Sequence, residues 1–404
     1  MSRNKMKIKR YGANIVMPHR GWGIFLRILG ILVIAGAVFF IGWKVADRSI
    51  DSFTGFWYDH FSVRKQKEDT SQQPESEGIP ESVPEDEGTK ETEHAEETPA
   101  PQPIAETQTS GVWGEVALSA ADSEEKLTAA LRTLKEGGAD HALLTLKDER
   151  GYLYYSSAVP LAATAGAVRA ETDVSLYVRL CRQEGLTPCV RLVAFRDPAA
   201  AYADRDSAVC YQHEGMLWLD NAAELGGKPW LNPYKAAARQ YILDLANELH
   251  GVGVEDIVFS GVQFPDAYAL EVCYYGESAD QISRTDCLRE CVALLQGTLE
   301  EAGVRCWFEW PTTYAIGEVD PLILGDGAAA LGALRILLDL QTVGDALAAV
   351  PSFEPSQLTA FAVAARTNGT CYLGLATRQL AYDPSLAQQW QQQAAAAGFT
   401  HFEN

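Results

Sequence analysis

From residue 112 to the C-terminus, short runs of branched apolar residues alternate with longer segments of helical character, and few folds satisfy that alternation. Strands are expected near 112–118, 141–147, 188–195, 256–262, 304–310, 334–340, 358–365 and 370–376, with 399–402 as a ninth candidate. One of the last three is surplus to an eight-stranded count. Helices are expected at 123–136, 172–184, 233–249, 283–302 and 385–397. Roughly 290 residues with seven to nine strands fit one closed (β/α)8 TIM-like barrel over 111–404 better than two small domains. A doubly wound open sheet is the alternative, and no glycine-rich phosphate loop follows the first strand to support it.

The rest of the chain is of another kind. Residues 1–21 carry Arg3, Lys5, Lys7, Lys9, Arg10 and Arg20, and no acidic residue precedes Asp47. Residues 22–45 are then apolar apart from Arg27 and Lys44. At about 1.5 Å rise per residue such a helix crosses a hydrocarbon core of about 30 Å. Arg27, one turn in, reaches the headgroups on its long stem. The basic excess before the span predicts a cytoplasmic N-terminus, a single pass through the bilayer and an extracytoplasmic C-terminal domain. A cleaved signal peptide has the same order of regions, but no small-x-small site follows Trp43. Residues 46–64 form a juxtamembrane segment.

Residues 65–110 are rich in Glu, Pro, Thr, Ser and Gln. Thirteen carboxylates between Glu68 and Glu106 face one lysine, Lys90, so much of the net charge of −21 belongs to this stretch. Such a composition cannot bury enough surface to offset its ordering entropy, which predicts a disordered, extended stalk. With no basic stripe in the remainder, nucleic acid is not an expected partner. No cofactor motif appears. The histidines are scattered and the eight cysteines show no CxxC, so no metal site is expected. All eight cysteines are read as structural, with Cys189, Cys306 and Cys371 as small buried hydrophobes of strands.

In a βα barrel the chemistry lies at the C-terminal ends of strands. Those ends here set aromatic rings beside carboxylates: Lys147-Asp148-Glu149-Arg150-Gly151 with Tyr154, then Arg196-Asp197-Pro198, Trp230-Leu231-Asn232-Pro233, Phe259-Ser260-Gly261-Val262-Gln263-Phe264-Pro265 and Phe308-Glu309-Trp310-Pro311. Rings and charged acceptors in alternation suit sugars.

At these residues the chain resembles the bacterial putative glycosyl hydrolase barrel, an amylase-like (β/α)8 family, over about residues 111–265. The marks are Lys147-Asp148 with Gly151 and Tyr154, the Arg191 strand ending in Phe195-Arg196-Asp197-Pro198, the Trp230-x-Asn232-Pro233 turn and the strand ending in Phe264-Pro265. The family's fourth strand ends in Phe-Asp-Tyr-x-Arg-Phe-Pro, whereas here Ser260 stands for the acid and Gln263 for the arginine. The resemblance implies that the nucleophile is lost, because glycoside cleavage needs two carboxyl groups.

Glu309 is the candidate acid, its aromatic flanks predicting a pKa raised toward general-acid range. Asp148, Glu149, Asp197 and Asp339 are possible partners, though each also suits an N-cap, a loop charge or an ion pair. Binding candidates are Asp148, Arg191, Asp197, Trp230, Asn232, Ser260, Gln263 and Trp310. Against these stand ordinary structural roles: Arg191 as a buried paired residue, and Trp230 with Tyr234 as packing before a helix. Three functions remain open: a degenerate barrel binding a cell-envelope polysaccharide or protein, an active glycosidase using Glu309 with a relocated acid, and a scaffolding ectodomain without a sugar site.

Overall fold

The computed structural model describes residues 110–403 apart from 214, 318, 344–349 and 352. The expected tail, membrane span, juxtamembrane segment and stalk lie outside the described residues, save Ser110. Among the described residues no helix is long and apolar enough to cross a membrane.

Eight parallel strands close a barrel: β1 Gly111–Val116, β2 His141–Lys147, β3 Thr187–Val193, β4 Asp256–Ser260, β5 Arg305–Pro311, β6 Arg335–Asp339, β7 Tyr372–Ala376 and β8 His401–Glu403. Each pairs with the next, and β8 closes on β1 with Gly111 beside His401. Among the described residues six longer helices pack outside: α1 Glu124–Glu136, α2 Val174–Gln183, α3 Ala236–Gly251, α4 Arg284–Glu301, α5 Pro355–Thr367 and α6 Pro384–Ala396. Several begin where the sequence signals a start: Ser123, Asp173 and Ser283 each accept a backbone N–H of the first turn.

The expected strand at 358–365 is instead the middle of α5. Its buried residues, Leu358, Phe361, Ala362 and Ala365, fall at helical and not alternating spacing. Pro355 opens the helix, and Gln357 Oε1 accepts the Glu354 N–H at 2.7 Å. The ninth candidate, at the C-terminus, is the strand that closes the barrel.

Strand alternation splits the core in two. Outward residues such as Leu144, Val190, Phe259, Phe308, Trp310 and Leu338 pack against the helices. Inward ones, Trp113, Leu143, Cys189, Val258, Trp307, Leu337 and Ala376, fill the barrel's middle as a separate cluster. Trp113 and Trp307 meet edge to face at 4.8 Å. This layer is a plug, so the mouth above it is a shallow cup rather than a pore.

All eight cysteines are free thiols. Cys371 is exposed, contrary to its expected burial, because it precedes β7 rather than lying within it.

Candidate functional site

One turn of the strand pleat above the plug, the inward positions become polar. Glu115 of β1, Thr145 of β2, Arg191 of β3, Ser260 of β4, Glu309 of β5, Asp339 of β6 and Glu403 of β8 form this layer, and Arg378 joins it from the loop after β7. Arg191 is buried and gives out its whole fork. Its Nε donates to Glu309 Oε2 at 2.9 Å, Nη2 to Glu403 Oε2 at 2.8 Å, and Nη1 to Glu115 Oε1 at 3.1 Å. Arg378 donates to Glu309 Oε1 at 2.7 Å and to Glu403 Oε1 at 3.0 Å, and its Nη2 lies 3.0 Å from Asp339 Oδ2. Two guanidiniums thus hold four carboxyl groups.

Charge balance sets the protonation of the layer. Burial alone would raise the Glu309 pKa, but Arg191 and Arg378 outweigh it and hold the carboxyl below its ordinary value. The expected general acid is therefore an ionised, doubly paired carboxylate. Asp339 goes the other way. Burial pushes it up to about 7, against the pull of Arg378 and with Glu309 and Glu403 adding repulsion. Its Oδ2 also accepts from Gln341 Nε2 at 2.7 Å, whereas Oδ1 is buried without a hydrogen-bond partner.

Above this layer lies a cleft of about 280 Å³. Of the residues expected from sequence, Asp148, Glu149, Arg191, Trp230, Ser260, Gln263, Glu309 and Asp339 line it. Ser260 faces Glu309 in strand register, where the resemblance would put an aspartate. Gln263 Nε2 donates to Asp266 Oδ2 at 3.3 Å, and Tyr314 Oη donates to the same oxygen at 3.2 Å. Asp148 shapes the wall, accepting the Arg150 and Tyr152 N–H groups and the Tyr154 hydroxyl, each at 2.9 Å. Trp230 is almost wholly buried, with the Arg196 guanidinium over its ring at 5.5 Å.

Three expected binding residues are placed elsewhere. Trp310 is fully buried on the outer face, donating Nε1 to Val262 O at 3.0 Å. Adjacent strand residues point to opposite faces, so Glu309 and Trp310 cannot both enter the cleft. Asn232 uses its amide in the turn, with Nδ2 donating to Tyr275 O and Oδ1 accepting the Tyr234 N–H, both at 3.0 Å. Asp197 is fully buried, caps a short helix at Ala200 N and pairs with buried Lys147 at 2.8 Å. Gly151 belongs to that knot: at φ +79° a Cβ there would stand 1.9 Å from Asp197 Oδ1. Lys147, Gly151 and Asp197 are thus one structural device that pins the loop after β2 to the loop after β3.

Sequence reasoning weighed Asp339 only as a partner acid and missed Glu115, Glu403 and Arg378. Alternation on β6 was a usable signal for Asp339, since Leu337 two residues earlier faces the plug. No metal-binding cluster occurs among the described residues.

The family model described as a putative glycosyl hydrolase domain matches residues 115–307, reaching past the stretch in which the motifs were read. No curated protein sequence matches the chain. Similar solved structures include a hypothetical protein from Ruminiclostridium thermocellum ATCC 27405, at 22% identity, covering 48% of this chain and 95% of that one, TM-score 0.43. A GH20 exo beta-N-acetylglucosaminidase from Vibrio harveyi is 9% identical over 67% of this chain and 41% of its own, TM-score 0.43. The glycoside hydrolase domain of PelA from Pseudomonas aeruginosa is 14% identical over 73% and 93%, TM-score 0.39. The chain thus spans less than half the length of the Vibrio enzyme.

Proposed function

Given that residues 115–307 match the family model described as a putative glycosyl hydrolase domain, we propose that this chain is a membrane-anchored, extracytoplasmic barrel that binds a cell-envelope polysaccharide without cleaving it. One observation carries the reading: the guanidinium of Arg378 bridges Glu309 and Asp339, donating to the first at 2.7 Å and lying 3.0 Å from the second. Hydrolysis needs a proton donor on one side of the scissile bond and a carboxylate on the other, with the sugar between them. Here an arginine stands between the two candidate carboxyl groups, and across the strand Ser260 supplies a hydroxyl with no histidine beside it in sequence to activate it. The anchor is read from residues 22–45 and the stalk from 65–110, which would hold the barrel away from the bilayer.

A second reading, an active glycosidase, draws on the divergent protonation of this pair. An ionised Glu309 beside an Asp339 raised to about 7 is an acid and a carboxylate in one site. Full-length protein solubilised in detergent separates the two when mixed with insoluble cell-wall material and assayed for retention and for released reducing ends. Retention without release supports the binding reading. Release supports the glycosidase, and neither leaves a scaffold.

A further inference from the structure

A second cleft, of about 540 Å³, adjoins the barrel-mouth cleft at its rim. Arg196 and Glu149, paired at 3.0 Å, line both. The outer cleft is walled by Arg150 and Tyr152 after β2, Tyr202 after β3, and Asp220 with Lys228 from the long insertion before α3. The inner cleft alone, at about 280 Å³, falls just short of a ligand site, which typically spans about 300–1,000 Å³.

We propose that the two clefts are one groove that seats several consecutive units of a neutral polysaccharide, with an outer subsite on Tyr202. This rests on the glycan-binding reading above and adds where the chain runs and what charge it carries. Tyr202 leaves 51% of its surface exposed, and a tyrosine ring held at a cleft wall offers a face for the C–H side of a sugar. Asp220 beside it is already oriented, accepting the Lys228 N–H at 2.6 Å and Trp230 Nε1 at 3.4 Å. The pair that marks the seam is itself well exposed, 39% for Arg196 and 64% for Glu149. Exposed pairs of this kind are weak, so sugar hydroxyls can bond to both partners without breaking the fold.

Charge selects the polymer. The inner cleft sets five carboxyl groups against three guanidiniums, whereas the outer sets three cations against two carboxylates. A chain uniformly charged with either sign would be repelled at one end. A hydroxyl-rich neutral chain meets donors and acceptors along the whole length.

Isothermal titration of the detergent-solubilised full-length chain tests this with dimers and hexamers of glucose, mannose, galactose and N-acetylglucosamine. Hexamers of glucosamine and of galacturonic acid serve as the charged probes. The expected result is at least one neutral hexamer binding tenfold or more tighter than its dimer. In Tyr202→Ala that gain should fall at least fivefold, with dimer affinity within twofold of wild type. Equal affinity of hexamer and dimer, an unchanged hexamer affinity in Tyr202→Ala, or a charged hexamer outbinding every neutral one would overturn the groove while leaving glycan binding intact. No binding by any sugar would overturn the glycan-binding reading itself.

Discussion

The two ends of the barrel interior manage charge in opposite ways. At the floor, below the Trp113 and Trp307 plug, each arginine has a buried carboxylate of its own, Arg305 donating to Asp256 at 2.9 Å through Nε and Arg335 to Glu300 at 2.5 Å, while Asp140 lies against His141. His401 stays neutral there, its pKa pushed down to about 4 by burial first and by His141 next, with Asp256 and Asp140 opposing. At the mouth, four carboxyl groups share two guanidiniums and Asp339 is pushed up to about 7. A fold selected for stability alone has no reason to gather three buried carboxyl groups, with Glu115 at their edge, around two guanidiniums. The floor closes the barrel, and the mouth keeps polar groups where a ligand would meet them.

The largest expected effect follows from that imbalance. Arg191 is the buried hub of the mouth, so Arg191→Met would leave Glu309 and Glu403 buried with half their partners and cost about 3–5 kcal/mol in urea unfolding. A loss under about 1 kcal/mol would break the picture of a layer held by its arginines.

A smaller effect sharpens the comparison, because His401 at the floor and Asp339 at the mouth respond to pH with opposite sign. His401 has a folded pKa below its ordinary 6.5, so the unfolded chain binds the extra proton between about 4 and 6.5. Its contribution to stability is therefore lost as pH falls through that window. Asp339 has a folded pKa above its ordinary 3.8, so the folded chain holds the extra proton from about 4 to 7. Its contribution is lost as pH rises through that range. Thermal unfolding of Asp339→Asn and wild type between pH 5 and 8 separates them: the variant should gain stability relative to wild type as pH rises. A difference independent of pH would mean that Asp339 does not titrate in this range.

Much of the architecture was legible because its signals are local. The strand His141–Lys147 follows from its run of apolar residues, and α1 and α4 from the serines that cap them. The stretch 358–365 was misread because a short apolar run of alanine, leucine and phenylalanine does not by itself distinguish strand from helix. The site was less legible, for a different reason. Arg191 and Glu403 are 212 residues apart and meet only because β8 closes the barrel beside β1. Arg378 sits in a loop with no motif, and its role appears only once β7 carries it to the mouth. The family marks at Lys147, Gly151 and Asp197 pointed to a real constellation, but one that holds two loops together rather than touching a ligand.

The most direct test of a mouth that binds without cutting is release of reducing ends from a polysaccharide panel by the wild-type chain and its Glu309→Gln variant, followed over days at several pH values. No release by either protein is the predicted result. Release by the wild type that disappears in Glu309→Gln would contradict it and make this site an active glycosidase.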